Sequence, residues 1–289
     1  MKVCIVGVGL LGGSFALGLK EKLAPLHLVG VEINERNASK ALELGLVHEV
    51  LPFVEAVSNA DLIVLATPVN IMLQQLVQVL NLMHEKAIVM DLGSTKEILC
   101  KAIENHPNRE RYVAAHPIAG TENSGPEAAF ADLLKKKTII LCEKEKTSTM
   151  AYEMVHALCT MLEMRVSEMN ASEHDLHLAY VSHLSHISSF ALGATVLDKE
   201  KDERNIFNMA GSGFSSTVRL AKSSPEMWAP IFLQNTNNIS EALGDYIEKL
   251  QEFKKIIDEQ DEISSRQLMY KANDIRRILS GINPGPEAK

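Results

Sequence analysis

His116 sits in the segment Ala115-His116-Pro117-Ile118-Ala119-Gly120-Thr121, directly after an apolar run that reads as a strand. Imidazole ionises close to neutrality, so it can take a proton from an alcohol as that alcohol is oxidised. Pro117 stiffens the turn and Gly120 loosens it, which holds His116 at a strand terminus. Taken alone, His116 serves equally well as a base or as a residue that stabilises its loop. Further along, His174, His177, His183 and His186 crowd one helical stretch. At about 100° per residue, His174 and His183 fall on opposite sides of a straight helix, as do His177 and His186. The four cannot converge on one ion from that helix, and no metal site is expected. His183 and His186 are three apart and share a face suited to a pocket wall. Arg219 carries a planar guanidinium that can grip a carboxylate through two parallel bonds. Its alternative is a solvated arginine on a helix surface.

A second kind of chemistry is written in Gly7-Val8-Gly9-Leu10-Leu11-Gly12. The motif follows a strand and opens a helix, which is the context a dinucleotide fingerprint requires. Gly7 permits the tight turn, Gly9 lets backbone approach a pyrophosphate, and Gly12 lets helix and strand pack closely. The N–H groups and dipole at the helix start favour the anion. Glu32 stands about 20 residues further on, at the end of a second strand, where a carboxylate accepts both ribose hydroxyls of NAD. It would repel the extra phosphate of NADP, although Arg36 nearby complicates that preference. NAD is the expected cofactor. Thr67 and Pro68 close a later strand, and Asp91-Leu92-Gly93-Ser94-Thr95-Lys96 follows another. Both segments are expected to line the nicotinamide half of a cleft, or else to be ordinary strand-to-helix turns with capping hydroxyls.

These residues need a scaffold that delivers strand ends to one edge. Strand patterns recur at residues 1–7, 28–32, 61–67, 87–92, 112–115, 138–142 and 165–168, with helical periodicity at 11–22 and 36–44 between them. Strands alternating with helices imply a parallel, doubly wound sheet, a Rossmann-type α/β domain. From residue 171 onward the patterns are almost all helical. Asn170 before Ala171-Ser172-Glu173 reads as a helix start, and that helix runs to about residue 197. Residues 198–205 form a charged break and 210–216 a Gly/Ser loop. Ser224-Pro225 opens a further helix towards residue 243, and 246–279 holds one or two charged helices, whose solvated faces leave an apolar side to bury.

Composition narrows the partners. The 289 residues are enough for two domains. A net charge of -8 without a basic block argues against nucleic acid, whose phosphates need a concentrated cationic face. No apolar run approaches the roughly 18 residues of a membrane span. The N-terminal apolar run lacks a charged segment ahead of it and a cleavage site behind it. Cys4, Cys100, Cys142 and Cys159 form no CxxC pair and sit in or beside apolar runs, as reduced thiols do. The expectation is a cytoplasmic protein.

The segments GVGLLGGS from Gly7, DLGSTK from Asp91, HPIAGTE from His116, VSHLSH from Val181 and FSSTVRLAKSSPEMW from Phe214 together resemble the prephenate dehydrogenase family. They occur in the family's order and span residues 7–228. HPIAG and SHLxH together are far more specific than the glycine motif. The resemblance implies a Rossmann domain, residues 1–168, followed by a helical domain, residues 169–289, that binds substrate and forms a homodimer. It implies NAD-dependent oxidative decarboxylation of prephenate to 4-hydroxyphenylpyruvate in tyrosine biosynthesis. It also implies roles. His116 is the catalytic histidine on the ring hydroxyl, and Ser94 is the serine bonded to that histidine near the nicotinamide. Arg219 binds a carboxylate, His183 and His186 line the pocket, and Thr121 and Glu122 stand at its entrance. Ser185 departs from the proline often found there, which bears on helix geometry more than on chemistry. Trp228 is expected to pack behind Arg219.

Other readings have their own marks. Arogenate dehydrogenases act on a sibling substrate that the residues do not separate from prephenate. A β-hydroxyacid dehydrogenase would place a catalytic lysine on the helix after residue 172, and residues 172–197 contain none. A non-catalytic NAD-binding regulator would bind the dinucleotide and produce no NADH.

Overall fold

The computed structural model describes residues 1–121, 123–200 and 206–282. Contacts divide the chain into two compact units, 1–239 and 240–289. The first unit is built on one eight-stranded sheet. Its strands are β1 (Lys2–Val6), β2 (His27–Val31), β3 (Glu49–Val50), β4 (Leu62–Leu65), β5 (Ile88–Asp91), β6 (Tyr112–Pro117), β7 (Thr138–Cys142) and β8 (Arg165–Met169). Their order is β3-β2-β1-β4-β5-β6-β7-β8. The first six strands run parallel, with β1 flanked by β2 on one side and β4 on the other. That reversal of winding at β1 is the switch point where such sheets bind ligands.

The fully parallel expectation needs one correction: β7 pairs antiparallel to β6, with His116 opposite Ile140. A parallel return requires a crossover of a dozen or more residues, usually a helix. Among the described residues of 118–137 there are only two short 3₁₀ turns, Pro126–Ala128 and Ala131–Leu133, and the strand comes back reversed.

Helices α1 (Leu10–Lys22), α2 (Glu35–Glu43), α3 (Phe53–Ser58), α4 (Val69–Leu82), α5 (Glu97–Ala102) and α6 (Thr149–Met161) flank the sheet. Two apolar clusters cover its faces, one around Ile5, Phe15 and Leu28 and the other around Ile63, Met72 and Leu76. The near-continuous apolar strands, LIVL in β4 for instance, are what burial on both faces demands. All four cysteines are free and buried. Loss of solvation pushes the thiols of Cys4, Cys100 and Cys159 up to about 12, so they pack as inert apolar groups.

Helix α7 (Ala171–Leu178) starts where the polar segment predicts, with the Asn170 side chain accepting from the Glu173 N–H at 2.7 Å. A π-helical turn, Ala179–His183, follows, and α8 (Leu184–Glu200) continues the rod through the first residues of the expected charged break. Residues 201–205 of that break lie outside the described residues. The expected Gly/Ser loop is instead mostly a short helix, α9 (Ser212–Thr217). The helix opened by Ser224-Pro225 ends early, as α10 (Pro225–Gln234), and Asn235 separates it from α11 (Thr236–Asp258). Helix α11 leads into the second unit, completed by α12 (Glu262–Ala272) and α13 (Ile275–Ile282). Asp261 caps α12 by accepting from the Ser264 N–H at 3.0 Å. Among the described residues no helix is long and apolar enough to cross a membrane.

Candidate active site

Because β1, β4, β5 and β6 run parallel, their following loops all emerge at one edge of the sheet. Each chemistry-bearing segment of the first half sits there. Gly7 has φ +93°, and a Cβ on it would lie 2.9 Å from the Ala66 carbonyl, so only glycine permits both the turn and the approach of β4. A Cβ on Gly12 would overlap the Gly7 carbonyl oxygen at 2.1 Å, whereas one on Gly9 would meet nothing within 4 Å. The space over Gly9 is therefore open. Gly9 also precedes α1 without any side-chain cap, which leaves first-turn N–H groups to a ligand. Val8 is buried, while Leu10 and Leu11 pack against the core below. Glu32 is half-buried after β2, and one of its oxygens accepts from the Asn34 N–H at 3.0 Å. Arg36 is exposed and 3.7 Å from Glu127, which answers part of its charge. An open glycine floor, free helix-start donors and a carboxylate at the second strand fit a dinucleotide with free ribose hydroxyls. Thr67 donates to Gln75 at 2.6 Å, Pro68 precedes α4, and Ser94 is half-buried on the β5–α5 loop.

His116 ends β6 as a buried side chain, 8% exposed. Its Nδ1 lies 2.8 Å from Nε2 of His174, and Nδ1 of His174 lies 2.7 Å from Oδ1 of Asp175. Asp175 in turn accepts from the backbone N–H groups of Lys96 (2.8 Å) and Glu97 (2.9 Å) at the start of α5. Its backbone carbonyl accepts from Asn235 Nδ2 at 2.7 Å, and that amide is also 3.2 Å from His183 Nδ1. The β5–α5 loop has a further tie to α10, Thr95 donating to Gln234 at 2.6 Å. Under this network the fully buried ammonium of Lys96 donates to Asp91 and to the Ala115 carbonyl, the latter at 2.9 Å. Asp91 also accepts from Tyr112 OH (2.8 Å) and from the N–H groups of Ala115 (3.0 Å) and Gly93 (2.8 Å).

The π turn explains why His183 joins this group. In an unbroken helix, nine residues rotate about 900°, which leaves His174 and His183 about 180° apart. The wider turn absorbs one extra residue and cuts the separation to about 80°. The opposite-sides expectation is corrected accordingly: His174 meets the Asp175 carboxylate, and His183 meets the Asn235 amide that bonds the Asp175 carbonyl. His186 keeps its helical offset and stacks on Trp228, ring centroids 3.5 Å apart, while His183 meets the same indole edge-on at 5.9 Å. Trp228 packs with Val69, Ile231, Phe190 and Phe232, and its indole N–H has no hydrogen-bond partner among the described residues. Arg219 is exposed in a 3₁₀ turn, Arg219–Lys222, close enough to His186 for its charge to disfavour imidazolium there.

Burial is the leading influence on these histidines. It holds His116 well below its ordinary value, with the charges of His174, Lys96 and His183 adding to the effect. It lowers His174 against the opposing pull of Asp175, and it brings His183 to about 4. At neutral pH all three are uncharged, and His116 can accept a proton. The same burial makes stability depend on pH. Each folded-state pKa lies below the unfolded value near 6.5, so the unfolded chain takes up protons first as pH falls. The contribution is complete above about pH 6.5 and drains away towards pH 4. His183 alone should remove about 2 kcal/mol by about pH 5, where unfolded carboxylates are still mostly ionised. Urea midpoints near pH 7 and about pH 5 measure it; equal midpoints would show that the histidines are not held neutral by the fold.

Of the expected site residues, the structure gathers His116, His183 and His186 around one network, with Arg219 beside it. Ser94 lies in the same loop as Thr95 and Lys96, while the bond found for His116 goes to His174. Thr121 is exposed, its hydroxyl accepting from the Asn123 N–H at 3.2 Å, and Glu122 lies outside the described residues. Sequence reasoning passed over Asp175 and Asn235, read Lys96 only as part of the segment after β5, and weighed His174 only as a metal ligand. The adjacent His174-Asp175 pair on a capped helix was the available signal. Among the described residues no group of three or more His, Cys, Asp or Glu side chains is arranged to hold a metal ion.

Comparison with known proteins points one way. The family model for the prephenate dehydrogenase nucleotide-binding domain matches residues 15–168, and that for the prephenate dehydrogenase dimerization domain matches residues 170–271. A prephenate dehydrogenase of Bacillus subtilis is 29% identical over 284 residues, covering 95% of this chain and 75% of the relative. A cyclohexadienyl dehydrogenase of Zymomonas mobilis is 30% identical over 263 residues, covering 90% and 89%. The crystal structure of prephenate dehydrogenase from A. aeolicus with hydroxyphenyl propionate and NAD+ superposes with a TM-score of 0.89 at 32% identity, covering 96% of this chain and 98% of that one. A Synechocystis arogenate dehydrogenase gives 0.77 at 26% identity, covering 96% and 100%.

Proposed function

The chain belongs to the prephenate dehydrogenase family, and from that premise we propose that it converts prephenate and NAD to 4-hydroxyphenylpyruvate, carbon dioxide and NADH, in tyrosine biosynthesis. One observation carries the reading: His116, a buried and uncharged imidazole, stands at the same sheet edge as a glycine turn shaped for a dinucleotide.

Gly7, Val8, Gly9, Leu10, Leu11 and Gly12 hold the pyrophosphate of NAD at the start of α1, Glu32 takes the ribose, and Thr67, Pro68 and Ser94 border the nicotinamide. The bound nicotinamide supplies a hydride acceptor. His116 accepts the proton of the substrate's ring hydroxyl, so that the carbinol carbon becomes a carbonyl carbon. The carboxylate on the ring then leaves as carbon dioxide, its bonding pair enters the ring, and aromatisation drives the step. The protein's task is therefore orientation, one well-placed base and cationic contacts for a dianion. Arg219 binds one carboxylate, His183 and His186 wall the pocket against Trp228, and Thr121 and Glu122 stand at its mouth. The match to a dimerization domain supports a homodimer through the helical region, residues 169–289. The free, buried cysteines support a reducing, cytoplasmic setting.

Arogenate is the second substrate to test, because the Synechocystis arogenate dehydrogenase matches at 26% identity, close to the 29% of the Bacillus prephenate dehydrogenase. Following NADH absorbance with each substrate and each dinucleotide decides the matter. The expected result is turnover with prephenate and NAD exceeding that with arogenate or NADP. Absence of NADH production from prephenate would overturn the proposal.

A further inference from the structure

We propose that His174 and Asp175 are positioning residues that set the tautomer of His116, so that its Nε2 is left bare to receive the substrate's proton. The inference rests on the reading of His116 as the group that takes that proton.

The chain of contacts permits one arrangement. Asp175 Oδ1 accepts from the Lys96 N–H and Oδ2 from the Glu97 N–H, so both oxygens are committed as acceptors. His174 Nδ1, 2.7 Å from Oδ1, must then carry a proton. A neutral imidazole has one N–H only. His174 Nε2 is therefore a lone pair, and His116 Nδ1, 2.8 Å away, must be the donor. The one remaining nitrogen of His116 is Nε2, unprotonated. The other tautomer would set two lone pairs against each other at that distance in a site where neither can turn to water. The rings are tilted, centroids 5.0 Å apart and planes at 66°, an arrangement that allows an N–H in one ring plane to meet the lone pair in the other.

The sequence of charges also balances. A proton passing from the hydroxyl to His116 Nε2 makes an imidazolium whose Nδ1–H still points at His174. The positive charge then faces a chain that ends on a carboxylate, and no proton leaves the site. His174 and Asp175 are 0% and 1% exposed, so this polarisation is not dissipated by solvent. Neither residue reaches substrate. Both act through His116, in the way a third group orients a base in other general-base sites.

The test uses the full-length protein. His174→Leu removes the acceptor and should lower kcat about 10–100-fold with KM for both substrates within about threefold, because the productive tautomer now leaves its buried N–H unpaired. His174→Gln can place a carbonyl where Nε2 was and should restore kcat to within about fivefold of wild type. In a His116→Ala background, His174→Leu should cost nothing further, since the two act as a unit. Multiplying losses, or equal damage from Leu and Gln, would show a merely structural role. Nitrogen NMR of the wild-type protein labelled with ¹⁵N-histidine decides independently if the Leu variant does not fold. His116 should show a pyrrole-type Nδ1 and a pyridine-type Nε2, and the reverse pattern overturns the proposal. Full turnover by His116→Ala would instead sink the base assignment itself. Wild-type kcat in His174→Leu, in an enzyme that needs His116, would sink the relay alone.

Discussion

Alanine at position 116 lowers kcat by about 10²–10⁴-fold while NAD affinity stays within about twofold. The size follows from the work asked of the imidazole. Oxidising the ring carbinol without relieving it of its proton leaves a protonated carbonyl, a species too acidic to form readily without a base beside it. Burial keeps His116 uncharged at neutral pH, so the wild-type group is fully available there, and water admitted by the smaller side chain is a far weaker acceptor. NAD affinity is spared because the pyrophosphate and ribose contacts proposed above fall on β1, α1 and β2, and β4 and β5 separate β1 from β6. Steady-state NADH production and calorimetric titration with NAD separate the two effects. Retained turnover would remove the imidazole from the chemistry. Loss of NAD binding would show that His116 serves the cofactor instead.

Lys96→Met costs about 3–5 kcal/mol of stability, the usual result of removing one partner of a buried ion pair. The ammonium of Lys96 and the carboxylate of Asp91 are both wholly inaccessible. Their mutual attraction, the Ala115 carbonyl and three further donors to Asp91 offset the large cost of stripping water from both charges. Methionine fills a similar volume, so the loss is electrostatic. For a unit of this size the melting temperature should fall by about 6–20 °C. Adding Asp91→Asn should recover part of it, because the orphaned charge is then gone. A melting temperature within about 2 °C of wild type would show that the pair contributes nothing net, as some buried pairs do.

Much of the scaffold was legible because its signals are local. An apolar run such as Leu62–Leu65 and a glycine forced to positive φ at Gly7 advertise themselves within a few residues. The cap at Asn170 was equally plain. Three features resisted because they depend on what lies elsewhere in the chain. The reversed direction of β7 depends on a connection that lacks a crossover helix, a negative signal easily passed over. The π turn has no residue signature, so a helical wheel placed His183 on the wrong side of the rod. Lys96 lies in a polar strand-to-helix turn that looks solvated, and only the tertiary fold shows it at 0% exposure. Of the candidate site, His116 and the glycine turn could be read from strand ends. His174 and Asp175 could not be assigned their roles, because a residue that acts through a second side chain 58 positions away carries no motif of its own.

Asp175 also constrains how this enzyme can move. Its carboxylate clasps the first amides of α5, its carbonyl holds Asn235, and its neighbour His174 grips the end of β6. A hinge placed between the sheet and the long helical rod would have to break all of these in the dry interior at once. Admission of substrate and escape of product must therefore proceed without parting the sheet from the rod at Asp175.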